Sequence, residues 1–180
     1  EELQEGFARA YLGGNGFAAA IIHRLVPKGA GPLSPENAVV FATGPVNATP
    51  VWGGGRAHVA AISPQTGLFL DSNFGGDFGW MMKRAGFDAY VITGRASSPV
   101  YILVEEGRVE IRDASLLWGR PTGETHALLC EAHGPGLQSA VIGPAGESGV
   151  AYANVVCSGS RLSVAGRGGL GAVLGSKNCK

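Results

Sequence analysis

Glycine constrains this chain more than any other residue. It fills 30 of 180 positions, about one in six, where an average soluble protein carries roughly 7%. No Gly-x-y period runs through the chain, which excludes a collagen helix. The glycines cluster instead, at 53–55, at 75–76 and through 166–171. Clustered glycine implies tight turns, or backbone that must come close to something else.

The rest of the composition describes a chain that folds. Hydrophobic residues make up 45% and charged residues 16%, enough apolar material for one core and too little charge for a disordered tail. Fourteen Lys and Arg balance fourteen Asp and Glu, so no overall field attracts a nucleic acid or an anionic membrane. No apolar run approaches the roughly 18 residues of a membrane span. The chain opens on Glu1-Glu2 with no signal-peptide pattern, which reads as the interior of a longer coding region. Cysteines stand only at 130, 157 and 179. An odd count at wide spacing argues against a disulfide framework and for a reducing, cytoplasmic setting, with the thiols as small core residues. The absence of C-x-x-C, H-x-x-x-H and H-E-x-x-H argues against an iron–sulfur cluster or zinc site within this segment alone.

Periodicity predicts many short strands mixed with a few short helices. A helix is expected over 13–26, with Phe17, Ala20, Ile21 and Leu25 on one face. Strands are expected over 38–43, 56–62 and 67–72, followed by a loop from Asn73 to Gly76. Asp77 reads as an N-cap for a helix that stops at Gly86, and 87–93 as a strand. Residues 100–113 alternate on either side of Glu106-Gly107 and predict a β-hairpin. A helix over 122–133, strands over 139–143 and 149–157, and a glycine loop running into a short helix complete the chain. With no regular βαβ order, the class is α+β. Gly76-x-x-Gly79 and Gly168-x-x-Gly171 each open a helix after a loop, an internal echo that suggests duplication.

The two glycine loops carry the chemistry. A helix start exposes unpaired N–H groups, and glycine removes the Cβ that would block an anion. Arg167 in the second loop and Arg56 behind Gly53–Gly55 add guanidinium groups that bind phosphate oxygens in pairs. Arg161 lies six residues before Arg167. Neither loop is a P-loop or a dinucleotide fingerprint. The plain alternative is that the glycines only turn the chain and the arginines are solvated. Trp52, Trp80 and Trp118 read as core or interface residues, and Asp71, Asp77 and Asp88 as capping or turn residues.

Several motifs then occur in a fixed order: PLSPEN at 32–37, FATGP at 41–45, GR at 55–56, DSNFGG at 71–76, a long stretch over 85–119, IGPAGE at 142–147 and AGRGGLGAVLGSKN at 165–178. Together they resemble the N-terminal domain of the tungsten-containing aldehyde:ferredoxin oxidoreductases, from YLGGNG at 11–16 to the last residue. The resemblance implies an α+β domain of two intertwined structural repeats with mixed or antiparallel sheets. It implies a base, spanning 1–180, for a tungsten or molybdenum bis-pterin cofactor (tungstopterin). A magnesium ion would bridge the two pterin phosphates.

Matched residue by residue, the implied cofactor contacts are Arg56, Asn73, Phe74, Gly75, Gly76, Ser163, Val164, Gly166 and Arg167. The main-chain carbonyls of Asn73 and Val164 would hold the magnesium. The family usually reads R-x-A-G-R where this chain reads Ser-Val-Ala-Gly-Arg at 163–167. Ser163 thus replaces an arginine, and Arg161 is the nearest substitute cation. The implied activity is oxidation of aldehydes to carboxylic acids, with ferredoxin as electron acceptor. Some relatives act on aromatic acyl-CoA or hydroxy-acid substrates. The implied partners are downstream domains and ferredoxin, with a homo-oligomer admitted, and neither nucleic acid nor membrane. The family's [4Fe–4S] ligands and catalytic residues lie in those later domains, so this segment alone is expected to be a catalytically inactive fragment with an apolar or glycine-lined face exposed. Two other readings stay open on the residues: a cofactor-free assembly module, and an independent binder of a phosphorylated ligand.

Overall fold

The computed structural model describes residues 1–159 and 161–180. A helical pair, α1 (Glu5–Tyr11) and α2 (Asn15–Leu25), leads into an antiparallel meander of β1 (Val39–Ala42), β2 (Ala57–Ile62) and β3 (Phe69–Phe74). Helix α3 (Phe78–Arg84) brings the chain back as β4 (Ala89–Ile92), which pairs with the other side of β1 to give the order β3-β2-β1-β4. A hairpin of β5 (Val100–Glu105) and β6 (Arg108–Asp113) follows. Next come α4 (Thr122–His133), β7 (Ser139–Val141), the single turn α5 (Pro144–Glu147), β8 (Val155–Ser158), β9 (Ser163–Ala165) and α6 (Leu170–Ser176). The last three strands form an antiparallel sheet in the order β7-β8-β9.

The duplication suggested by the glycine echo is visible in this plan. Each half runs helix, three-stranded meander, helix, return segment. In the first half the return is β4 against β1. In the second, the Ile142 N–H just past β7 donates to the Lys180 carbonyl at 3.2 Å. The end of the chain also exchanges bonds with β5: Val100 N–H to the Asn178 carbonyl and Lys180 N–H to the Val100 carbonyl, both 2.8 Å. The halves interlock because α6 of the second packs on β1 and β2 of the first.

Packing explains the strand chemistry. The central strand β1 is covered on both faces, and every residue of it is buried, as a continuous Val-Val-Phe-Ala run requires. Val40, Ala42 and Ala60 face α2, whose buried residues are Phe17, Ala18, Ile21 and Ile22. The buried stripe thus lies beside the expected one, and Leu25 is exposed. On the other face Val39, Phe41, Val59 and Phe74 meet Leu170, Val173, Val155 and Ile142 from the second half. Residues 170–175 of α6 are all buried, the mark of a helix apolar all round. Its glycines let it approach backbone closely. A Cβ on Gly171 would lie 2.4 Å from the Asn154 carbonyl, and one on Gly175 would lie 2.0 Å from that of Gly146.

The hairpin forms where the alternation predicts it, with Glu106 at φ +47° and Gly107 at φ +79°, the two positive φ values of a type I′ turn. Helix α4 has the expected bounds. Other expectations change. Helix α1, not expected from the sequence, carries no fully buried residue and rests on α2 through Phe7 and Ala8. Asn73 and Phe74 belong to β3 rather than to a loop, because His58 and Ala57 of β2 pair with them. Only 155–157 of the expected strand 149–157 is extended, in a strand that runs on to Ser158, since the chain first turns at Gly149, φ +71°. Residues 163–165 form a strand where a loop is expected. Asp77 does take the N-cap position of α3, without a capping bond from its side chain. None of the three tryptophans is buried, and Trp52 is 99% exposed.

Candidate functional site

Strands β3 and β9 are the edge strands of their sheets, and they bring the two glycine loops together. The Gly75 N–H donates to Ser163 Oγ at 2.8 Å. The Ser72 hydroxyl donates to the Gly166 carbonyl at 2.9 Å, and the Ser63 hydroxyl to the Gly168 carbonyl at 2.7 Å. These bonds join residues about a hundred positions apart in sequence, so the loops form one surface.

Ser163 therefore holds the loops together. Its hydroxyl fastens the second loop to the first, and in doing so occupies the Gly75 N–H. Phe74 also differs from a loop contact: its side chain is a core residue packed between Phe41 and Phe78. Only its main chain is left to face a ligand.

The glycines divide into two kinds. A Cβ on Gly168 would stand 1.8 Å from Leu70 Cδ2, and one on Gly169 would stand 2.0 Å from the Ala151 carbonyl. Both are demanded by packing inside the protein. A Cβ on Gly75 or Gly166 would meet nothing closer than 3.7 Å, so packing within the protein does not demand glycine there. Gly76 falls between: its φ is +75°, and a Cβ would lie 3.3 Å from the Arg161 carbonyl. Arg167 is itself left-handed at φ +69°, a conformation rare outside glycine. Its N–H bonds to Asn154 Oδ1 at 3.2 Å, and its side chain is exposed.

Arg56 stands at the entry to β2, exposed, and donates from Nη1 to Asn73 Oδ1 at 2.7 Å. Asn73 is opposite His58 in the register. The His58 Nδ1 lies 2.8 Å from Asp71 Oδ1, with side chains 24% and 20% exposed. Among the described residues neither Arg56 nor Arg167 makes an ion pair. Beside Arg56 and His58 a cleft of about 260 Å³ is walled by the glycine turn at 13–16 and by Gly44, Asn47 and Gly54. Large apolar side chains border these loops in the open: Trp52 at 99%, Leu162 at 73% and Leu12 at 71% exposure. The motifs of the sequence do not single out the His58–Asp71 pair or the 13–16 turn as a wall of the site. Strand alternation (56, 58 against 71, 73) is the signal that could have grouped them.

Exposed guanidinium groups and two open glycine approaches fit a ligand with several anionic oxygens. Asn73 and Val164 stand one on each of the two edge strands, paired in register with His58 and Val156. Several buried titratable groups lie in the interior and serve the fold. Lys177 is buried and donates to the Pro35 and Gly94 carbonyls, with burial holding its ammonium below the usual range. Lys180 pairs with Glu147 in the interior. Burial pushes the Cys157 and Cys179 thiols up to about 12 and about 11.

Comparison with known proteins gives these loops a context. The aldehyde ferredoxin oxidoreductase N-terminal domain family matches residues 1–180. The tungsten-containing aldehyde ferredoxin oxidoreductases of Pyrococcus horikoshii and Pyrococcus furiosus are 46% and 44% identical over the whole chain. An aliphatic sulfonate oxidoreductase subunit of Pyrococcus furiosus is 33% identical over 99% of it. Among solved structures, the active-site complex of a benzoyl coenzyme A reductase, bound to 1,5-dienoyl-CoA, covers the whole chain at 39% identity and a TM-score of 0.94. The chain spans 30% of the length of the two aldehyde oxidoreductases and 27% of the solved chain. The chain belongs to the aldehyde ferredoxin oxidoreductase family, in its N-terminal domain.

Proposed function

We propose that this chain is the cofactor-bearing N-terminal part of a cytoplasmic tungsten or molybdenum bis-pterin enzyme that oxidises aldehydes to carboxylic acids, passing the electrons to ferredoxin. The observation that carries the reading is the meeting of the two glycine loops at the Gly75–Ser163 bond, with exposed Arg167 on one loop and exposed Arg56 bonded to Asn73 beside the other. Such a surface can receive the two phosphorylated tails of a bis-pterin.

In this reading Arg56 and Arg167 take phosphate oxygens, and Gly75 and Gly166 admit the cofactor close to the backbone. The carbonyls of Asn73 and Val164 take a magnesium ion, a hard cation that prefers oxygen ligands. Asn73 is fixed for this work by the Arg56–Asn73 side-chain bond. Ser163 supplies no charge, so Arg56, Arg161 and Arg167 bear the whole cationic role. When bound, the metal centre supplies the two-electron redox chemistry, while the protein supplies position and electrostatics. The [4Fe–4S] cluster, the catalytic residues and the ferredoxin contact belong to downstream domains that close over the exposed Trp52 and Leu162. The solved benzoyl coenzyme A reductase neighbour favours a second reading, a family member acting on an aromatic acyl-CoA.

The test is metal and pterin content of the complete enzyme. The wild type is expected to hold tungsten or molybdenum with two pterins per chain, and R56A and R167A to hold less. Unchanged content in both variants removes the phosphate assignment. Assays with aldehydes and with aromatic acyl-CoA thioesters on the loaded wild type separate the two substrate readings.

A further inference from the structure

The cleft beside Arg56 contains a polar atom with no partner among the described residues. His58 Nδ1 bonds to Asp71, and its other ring nitrogen, Nε2, has no partner among the described residues. The ring edge carrying Nε2 is turned toward Gly14: a Cβ there would lie 3.2 Å from Nε2 and 2.9 Å from Cδ2. Glycine at position 14, with φ +52°, thus lets the His58 ring sit against the backbone that walls the 260 Å³ cleft shared with Arg56. An imidazole with one nitrogen fixed by a carboxylate has its orientation set and its second nitrogen committed to whatever faces it.

We propose that His58 is a further ligand-contacting residue of this cleft, with Asp71 as its positioning residue, and that the pair grips one phosphate monoester end of the cofactor alongside Arg56. Arg56 offers only donors. A phosphate monoester has three terminal oxygens, and a guanidinium takes two of them side by side. The third is left for His58 Nε2, with one proton lying between nitrogen and oxygen whichever atom carries it. The cleft volume accommodates a phosphoryl group with its ester methylene. His58 thereby supplies, from β2 beside the first loop, part of what Ser163 does not supply on the second. This inference rests on the proposed cofactor reading and adds to it a named grip at one tail.

The experiment uses the complete enzyme carrying H58F, H58Q, D71N or R56A. Each variant is dialysed against a chelator and then measured for metal and for pterin, the latter as its fluorescent oxidation product. H58F is expected to retain roughly tenfold less pterin than wild type, within the range for loss of an orienting partner at a bound group. H58Q, which keeps a polar end, is expected to restore most of it, and D71N to fall between. Melting temperature of the cofactor-free forms is read in parallel. If H58F melts below wild type, D71N and H58Q decide the question by the same retention criterion. Wild-type retention in H58F and D71N with loss in R56A overturns the role of His58 and leaves the cofactor reading standing. Wild-type retention in all four overturns both.

Discussion

Replacing Gly175 by Ala should destabilise the chain, although the same change elsewhere in a helix stabilises it. Alanine in a helix is favoured over glycine by up to about 1 kcal/mol. At Gly175 that gain meets backbone. The new Cβ would lie 2.0 Å from the Gly146 carbonyl oxygen and 2.6 Å from its carbon. Ordinary contact begins at 3.4 Å, so α5 and α6 must move apart by more than 1 Å, and no flexible side chain is there to yield. Overpacking of this kind costs typically about 1–3 kcal/mol, occasionally more, and a backbone clash belongs at the upper end. The expected net loss is roughly 2 kcal/mol, which for a domain of this size lowers the melting temperature by roughly 4–8 °C. Gly123 in α4 has nothing within 4 Å of its would-be Cβ, so G123A should hold or raise the melting temperature. Far-UV circular dichroism melts of wild type, G175A and G123A side by side decide the matter. If G175A melts at or above wild type, the close α5–α6 approach does not exist as described. The reason given for glycine in this helix then fails, and so does the placement of the loop that α6 carries.

Other outcomes follow from the same structure. Lys180 and Glu147 form an ion pair with side chains 0% and 5% exposed; K180M alone should cost about 3–5 kcal/mol in urea unfolding by stranding a buried carboxylate, and the double variant K180M/E147L should recover much of it. S163A breaks the Gly75–Ser163 bond and should cost about 1–3 kcal/mol, because a part-buried N–H loses its acceptor; an unchanged denaturation midpoint would contradict the clasp. Native alkylation at pH 8 should label Cys130, which is half-buried, and spare Cys157 and Cys179, as peptide mapping would read. The raised thiol values of Cys157 and Cys179, about 12 and about 11 from a reference of 9.0, mean that unfolded chains lose these protons first. The stability they confer is therefore complete below about pH 9 and is lost as pH rises toward 11–12, which unfolding at stepped alkaline pH measures.

How far the site was legible depended on the range of the interactions that build it. Arg56, Gly75 and Arg167 could be named from motif order; the structure puts Gly75 and Arg167 on the joined loops and Arg56 beside them, bonded to Asn73. The role of Ser163 could not, because its partner Gly75 lies 88 positions away. Phe74 read as loop because the ladder that recruits it comes from β2. The His58–Asp71 pair went unnoticed for a similar reason: thirteen residues and a turn separate two side chains that only strand pairing brings together.

The order of amino acids by itself determined where the chain turns, where it alternates and where apolar residues recur every third or fourth position. These are local properties, set by the conformations each residue tolerates and by the period of its neighbours. Hence the hairpin at 106–107, helix α4 and the doubled loop-to-helix signal were all present in the string. Which glycines serve packing and which leave room for a ligand was decided only in three dimensions. That distinction depends on what stands opposite the missing Cβ, and for Gly168 the answer is Leu70, brought there by the packing of one half of the molecule on the other.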